Sequence, residues 1–325
     1  MIVVWQVIEH CNLACPFCRY DRNLGGKRRE ADPAAIQAFG RHLARYQRET
    51  KQTVLVSWLG GEPLLWKLLQ QISKHYSHDL GLHVATTTNG TTLGSPAMRR
   101  HLLENYAELT VSVDAPGRAH DQLRGSGGLY AALAKNVRAL ANENQELGSA
   151  LRLRANVVLM RHTIGSFVQL CVELAEWGIT EISFNQLGGN DRPEFYPDNR
   201  LRPEDLAAFG NDLPALRDKL AHQGVKLLGT EGYLRRMHAS SCDERVPVYD
   251  CRPGRDFLFI DIEGRIAPCS FTSGESGIPL TEIESADDLL SLSRRFASGI
   301  ATCRPAACND CLSTRVFEKF TVSTS

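Results

Sequence analysis

Residues 9–20, Glu9-His10-Cys11-Asn12-Leu13-Ala14-Cys15-Pro16-Phe17-Cys18-Arg19-Tyr20, carry three cysteines as C-x3-C-x2-C within eight residues. The run Ile2-Val3-Val4-Trp5-Gln6-Val7-Ile8 leads straight into them. Short, β-branched and aromatic, it reads as a buried strand. The cysteines then fall on the loop at its carboxyl end, where open or barrel-like α/β sheets place their ligands. Three thiolates hold three corners of a cubane [4Fe–4S] cluster and leave the fourth iron open for chemistry. A zinc knuckle is the alternative reading. Zinc sites usually combine two C-x2-C or Cys/His pairs, and no second pair follows nearby.

Beyond this loop the pattern becomes regular. Asp32 and Pro33 supply an N-cap and a first helical residue, so a helix is expected from there to about Thr50. Apolar runs at 53–59, 82–87, 109–113, 151–160 and 181–185 read as strands. They alternate with helical stretches at 64–76, 95–105, 128–142, 165–177 and 203–222. Six β–α units imply a parallel sheet with right-handed crossovers, an α/β class fold. Six units in place of eight give a partial (β/α)6 TIM-like barrel. The core is expected over residues 1–225, and a loop-rich, cysteine-bearing module over 226–325.

The chain has 325 residues, 43% of them hydrophobic, enough for a large core. Lys+Arg and Asp+Glu balance at 37 each, which argues against a nucleic-acid surface. The first apolar run is too short for a signal peptide, and no run reaches the roughly 20 residues of a spanning helix. Ten cysteines without a secretory signal point to the reducing cytoplasm and to metal ligation.

The cysteine triplet, with Phe17 before the third cysteine, resembles the C-x3-C-x-aromatic-C motif of the radical S-adenosylmethionine (SAM) superfamily. That family has a (β/α)6 partial barrel, in agreement with the strand count. The resemblance implies that Cys11, Cys15 and Cys18 hold a [4Fe–4S] cluster whose open iron chelates SAM, and that an electron from it cleaves SAM to a 5′-deoxyadenosyl radical. Gly60-Gly61-Glu62-Pro63, after the second strand, resembles the family's motif for the SAM amino group. Glycines allow close backbone approach, and a carboxylate accepts from an ammonium. Thr88-Asn89-Gly90 resembles its strand end beside SAM. Ser112 and Asp114, followed by His120-Asp121 and Arg124-Gly125, resemble its S-x-D…HD…RG pattern, in which Ser112 would touch the ligand while His120 and Arg124 fix the loop. Arg154, in Arg154-Ala155-Asn156, would pair with the SAM carboxylate; the alternative is that Arg152 and Arg154 share a solvent face. Leu187 would lie against adenine. The family's adenine-side G-x-I-x-G-x-x-E pattern is not evident.

The C-terminal cysteines Cys251, Cys269, Cys303, Cys308 and Cys311 lie beyond the barrel. Residues 257–269 read as a hairpin turning at Glu263-Gly264. Cys251-x12-Gly264-x4-Cys269, with the C-x2-C of Cys308 and Cys311, resembles the SPASM/twitch auxiliary modules of radical SAM enzymes. No cysteine follows Cys311, which resembles the shorter twitch form. It implies one auxiliary [4Fe–4S] cluster on Cys251, Cys269, Cys308 and Cys311, with Cys303 as an alternative ligand and structural zinc as the rival. Cys171 reads as core. Cys242 reads as a packing thiol, with a hydrogen-donor role as its alternative.

These resemblances imply a radical SAM oxidoreductase that abstracts hydrogen from a small-molecule, natural-product substrate. The auxiliary cluster would support net oxidation, by dehydrogenation or radical coupling. The spacing is that of twitch-bearing dehydrogenases of aminoglycoside biosynthesis. The alternatives are a maturase that cross-links or epimerises a ribosomally made peptide, and a non-catalytic iron–sulfur electron-transfer scaffold. A flavodoxin- or ferredoxin-type donor is the expected partner; neither nucleic acid nor membrane is.

Overall fold

A computed structural model describes residues 1–317; the last residues of the expected C-terminal module, 318–325, lie outside the described part. The strands in chain order are β1 (Ile2–Ile8), β2 (Leu55–Gly60), β3 (His83–Thr88), β4 (Glu108–Ser112), β5 (Arg152–Leu159), β6 (Glu181–Gln186), β7 (Lys226–Leu227), β8 (Phe257–Ile260), β9 (Arg265–Ala267) and β10 (Ile278–Pro279). The helices are α1 (Pro33–Thr50), α2 (Leu69–Lys74), α3 (Pro96–Asn105), α4 (Gly117–Arg124), α5 (Leu129–Glu146), α6 (Phe167–Glu176), α7 (Tyr196–Asn199), α8 (Pro203–Ala221), α9 (Glu231–Ser241), α10 (Ser273–Ser276) and α11 (Ala286–Thr302).

Strands β1 to β7 pair in sequence order, all parallel, as helical crossovers require. This is the α/β partial barrel expected. Where the core was expected to stop at residue 225, the sheet continues. β7 adds to β6, and β8 returns to pair parallel with the other edge of β1, matching Ile2 with Phe257. The β8–β9 hairpin turns at Gly264, whose φ of 75° suits glycine.

Local signals set the helix starts. The Asp32 carboxylate accepts from Ala34 N, and Pro33 opens α1. The Ser95 and Ser285 hydroxyls cap α3 and α11 in the same way. Outward-facing strand residues pack the helical layer: Trp5 meets Phe39 edge-on at 5.6 Å, and Phe184 meets Phe167 and Phe209. Along β5, buried Leu153, Ala155, Val157 and Leu159 alternate with half-buried Arg154, Asn156 and Val158. That second face is the barrel interior, and it carries the polar Arg154 and Asn156.

Two long helices in the region read as loop-rich, α9 and α11, depart from the expected pattern. The segment 114–125, read as a motif loop, also contains helix α4.

Candidate active site

The cysteine loop is pinned on both sides by backbone hydrogen bonds. Gly61 N donates to Ile8 O and Glu62 N to His10 O, each at 2.8 Å, while Ala14 N donates to the carbonyl of Arg124, the last residue of α4. The chains pass so closely that a Cβ on Gly60 would lie 2.1 Å from Ile8 O, and one on Gly61 2.2 Å from His10 O. Any side chain at either position would push the loop off β2. The glycines therefore place the cysteines at the carboxyl end of β1.

Each thiol has a donor close by. Leu13 N lies 3.5 Å from Cys11 Sγ and Tyr20 N 3.4 Å from Cys18 Sγ. Asn89 Nδ2 reaches Cys11 Sγ at 3.7 Å, and Arg124 Nη1 reaches Cys15 Sγ at 3.9 Å. Burial pushes all three thiols up, Cys15 to about 12. Dry thiols stay protonated unless a metal claims them, and a bound metal deprotonates them outright. Among the described residues no three Cys, His, Asp or Glu side chains close on one point as ligands of a single ion do. Thiolates on separate corners of a cubane stand further apart than that. A sulfur-only donor set ringed by N–H groups fits an iron–sulfur cluster.

Phe17 stacks beside this loop, 6.3 Å from Phe195 and 5.5 Å beneath the Arg124 guanidinium. Ser112 ends β4, half-buried and in register with Asn156. Leu187, buried just past β6, donates its N–H to Leu159 O.

Four expected ligand contacts look different in the structure. Glu62 is fully buried, and its carboxylate accepts from Thr88 Oγ1, Asn89 N and Leu64 N at 2.8, 2.6 and 3.1 Å. Burial raises it to about 7, against the pull of those donors. Glu62 and Thr88 thus tie the β2 turn to the β3 turn. Asp114 has a fully buried side chain that pairs with Arg124 at 2.6 Å and accepts from Val158 N. Arg154 differs most from its expected place. It meets Glu108 and Glu181, the first residues of β4 and β6, and so lies at the amino end of the barrel. It stands five residues before the end of β5, about 16 Å at the rise of a strand, away from the cysteines. The alternative of a solvent face fails too, since the Arg154 side chain is only 16% exposed.

Sequence reasoning missed several groups. Asn12 donates to Thr91 Oγ1 and accepts from Asn89 Nδ2, bracing Cys11. Asn156, Ser183 and Asn185 form a hydrogen-bonded polar cluster inside the barrel, Ser183 Oγ at 2.9 Å and Asn185 Nδ2 at 3.1 Å from Asn156 Oδ1. The alternation of β5 and β6 was the signal that could have found them. His120, at zero exposure, accepts from Asp114 N through Nδ1 and fixes the loop as expected.

In the C-terminal module, Cys251, Cys269, Cys308 and Cys311 line one cavity together with Pro268 and Phe271. Cys311 N donates to Val246 O, and Arg304 Nη2 to Val248 O and Cys308 O. Burial pushes Cys251 up to about 11, and the other three thiols add to it. Cys303, the alternative ligand, is exposed at the end of α11 and does not line this cavity.

The family model of the Radical SAM superfamily matches residues 5–171, just over half of the chain. The chain belongs to this superfamily. As a radical SAM enzyme it works with a [4Fe–4S] cluster and SAM. Among curated relatives, the AdoMet-dependent heme synthase of Nitratidesulfovibrio vulgaris is 22% identical over 85% of this chain and 75% of its own length. The PqqA peptide cyclase of Xanthomonas campestris is 24% identical over 95% of this chain and 78% of its own. The crystal structure of Streptococcus suis SuiB bound to S-adenosylmethionine superposes with a TM-score of 0.67 at 18% identity, over 96% of this chain and 72% of that one. Native anSMEcpe with bound AdoMet gives 0.65 at 15%, over 98% and 89%. These structures share the fold. Among the described residues no helix is long and apolar enough to cross a membrane.

Proposed function

We propose that this radical SAM enzyme oxidises its substrate by hydrogen abstraction, with one cluster on Cys11, Cys15 and Cys18 and a second on Cys251, Cys269, Cys308 and Cys311. When bound, the first cluster and SAM supply a 5′-deoxyadenosyl radical, and the second supplies an electron acceptor. The carrying observation is the gathering of four cysteines at one cavity in addition to the N–H-ringed triplet. Four ligands close a site, while three leave a corner for SAM.

This chain's residues do the positioning. Gly60 and Gly61 bring backbone close to the cluster loop, where Ser112 and Asn89 offer polar groups. Asn156, Ser183 and Asn185 give the barrel interior donors and acceptors for a polar ligand. Leu187 and Phe17 bring apolar surface to the same end. An electron donor of flavodoxin or ferredoxin type would supply the reducing equivalent.

A peptide substrate is the second reading, favoured by the likeness to PqqA peptide cyclase over nearly the whole chain. The test starts with anaerobically reconstituted protein, dithionite and SAM. It should release 5′-deoxyadenosine, and failure with both clusters loaded would sink the enzyme reading. Perdeuterated cell extract, split by size, should then transfer deuterium into 5′-deoxyadenosine. Label from the small-molecule fraction supports the first substrate class, and label from the peptide fraction the second.

A further inference from the structure

Helix α9 touches both sites. Its Tyr233 hydroxyl accepts from Gln186 N, and its Ser240 hydroxyl from Gln186 Nε2, at the carboxyl end of β6. Between these contacts, Arg236 reaches the opposite way, into the C-terminal cysteine loop. Its Nη2 meets Asp310 Oδ1 at 2.6 Å, and its Nε donates to the carbonyl of Cys311 at 2.8 Å. The Arg236 side chain is 1% exposed, whereas that of Asp310 is 43% exposed.

Two features set this arginine apart from an ordinary ion pair. Its partner carboxylate is half in water, where solvent screens it, and its other charge contact is the Phe317 ring, 5.9 Å from the guanidinium, so the buried positive charge is only partly answered. Its Nη1 is buried and has no hydrogen-bond partner among the described residues. A dry guanidinium with one donor unmet calls for a further acceptor beyond Asp310 and the Cys311 carbonyl. Cys311, whose carbonyl Arg236 holds, is one of the four cysteines that line the cavity.

We propose that Arg236 is a positioning residue of the C-terminal cluster and sets its reduction potential. The fork fixes the loop between Cys308 and Cys311 through the Cys311 carbonyl and Asp310, which a lysine point charge cannot do in two directions. Reduction adds one negative charge to a cluster, and a fixed buried cation nearby stabilises that state. The charge sits on a helix that is itself anchored to the carboxyl end of β6. The inference rests on the auxiliary-cluster reading above.

The test uses full-length protein carrying Cys11→Ala, Cys15→Ala and Cys18→Ala, so that only the C-terminal cluster is read. Iron and sulfide analysis comes first, then an anaerobic redox titration followed by electron paramagnetic resonance. If this parent binds no iron, the auxiliary-cluster reading fails by itself. With iron bound, Arg236→Met should lower the reduced-to-oxidised ratio at a given potential about tenfold, a midpoint about 59 mV more negative. Arg236→Lys, which keeps the charge, should shift it by less than half as much. Asp310→Asn should shift it the other way, because it removes the counter-charge and leaves the arginine. Identical midpoints for parent and Arg236→Met would overturn the proposal, as would equal shifts for Met and Lys. Should Arg236→Met fail to load iron, Asp310→Asn decides: no shift, or a negative one, overturns it.

Discussion

The two cysteine sites are assembled in opposite ways. The amino-terminal loop takes three thiols from eight consecutive residues, while the C-terminal cavity collects four across about sixty. Both use a buried arginine answered by an aspartate, Arg124 with Asp114 and Arg236 with Asp310, each at 2.6 Å. Asp114 is wholly dry and also holds Val158 N, so its pair belongs to the barrel itself. Asp310 is half in water. The comparison teaches that a contiguous ligand set still needs a rigid scaffold beneath it, and that a dispersed set leans on whichever helix reaches it.

The sharpest separation of the two sites comes from Cys15→Ala. It should abolish 5′-deoxyadenosine formation while iron falls from about eight to about four per chain, one cubane each. Retained SAM cleavage in this variant would break the assignment. Next, Asp114→Asn should cost about 3–5 kcal/mol in urea unfolding, as breaking a dry ion pair does; Asp310→Asn should cost less, because its carboxylate is already half in water, although it leaves the dry Arg236 without its counter-charge. Equal losses would erase the contrast between a dry anchor and a wet one.

A smaller effect concerns pH. Burial lowers His120 to about 4 and raises Glu62 to about 7. Between pH 4 and 6.5 the unfolded state binds more protons at His120, so its contribution to stability grows as pH rises. Between pH 4.5 and 7 the folded state holds the proton on Glu62, so that contribution shrinks as pH rises. Each amounts to about 3 kcal/mol at full extent, and in the wild type they oppose one another. Urea midpoints from pH 4.5 to 6.5 should therefore rise steeply with pH in Glu62→Gln and fall in His120→Gln. Slopes of the same sign in both variants would show that one of the groups is not buried as described.

The smallest expected change concerns Arg154. Arg154→Met should alter the SAM dissociation constant of the reconstituted enzyme by less than about twofold. A tenfold loss would return Arg154 to the ligand end of the barrel.

Much of the barrel was legible because buried parallel strands are short apolar runs that cannot be mistaken for the amphipathic helices between them. The C-terminal helices were harder. Helix α9, Glu231–Ser241, buries Arg236 and Ser241 among its apolar residues, so its hydrophobic period is blurred. Its local signals are the Thr230 cap, Glu231 in the first turn and His238 in the last. At the first site the motif residues were legible as a group, but their division of labour was not. Whether Glu62 or Asp114 faces a ligand or a neighbouring turn depends on Thr88, Asn89 and Arg124, which come from other strands and helices. The motif around Arg154 gives no distance along its strand; its register opposite Glu181 does.

The pairing of β8 with β1 also has a consequence for how the chain is made. The strand that carries the cysteine loop finds its second neighbour only about 250 residues later. At about 5–20 residues per second, a ribosome leaves that edge of β1 unpaired for roughly ten seconds to a minute. An apolar strand edge waiting that long is open to wrong pairing. Newly made chains therefore pass through a vulnerable interval that ends when Phe257–Ile260 docks, and slow synthesis or truncation before this point should send the protein into aggregates.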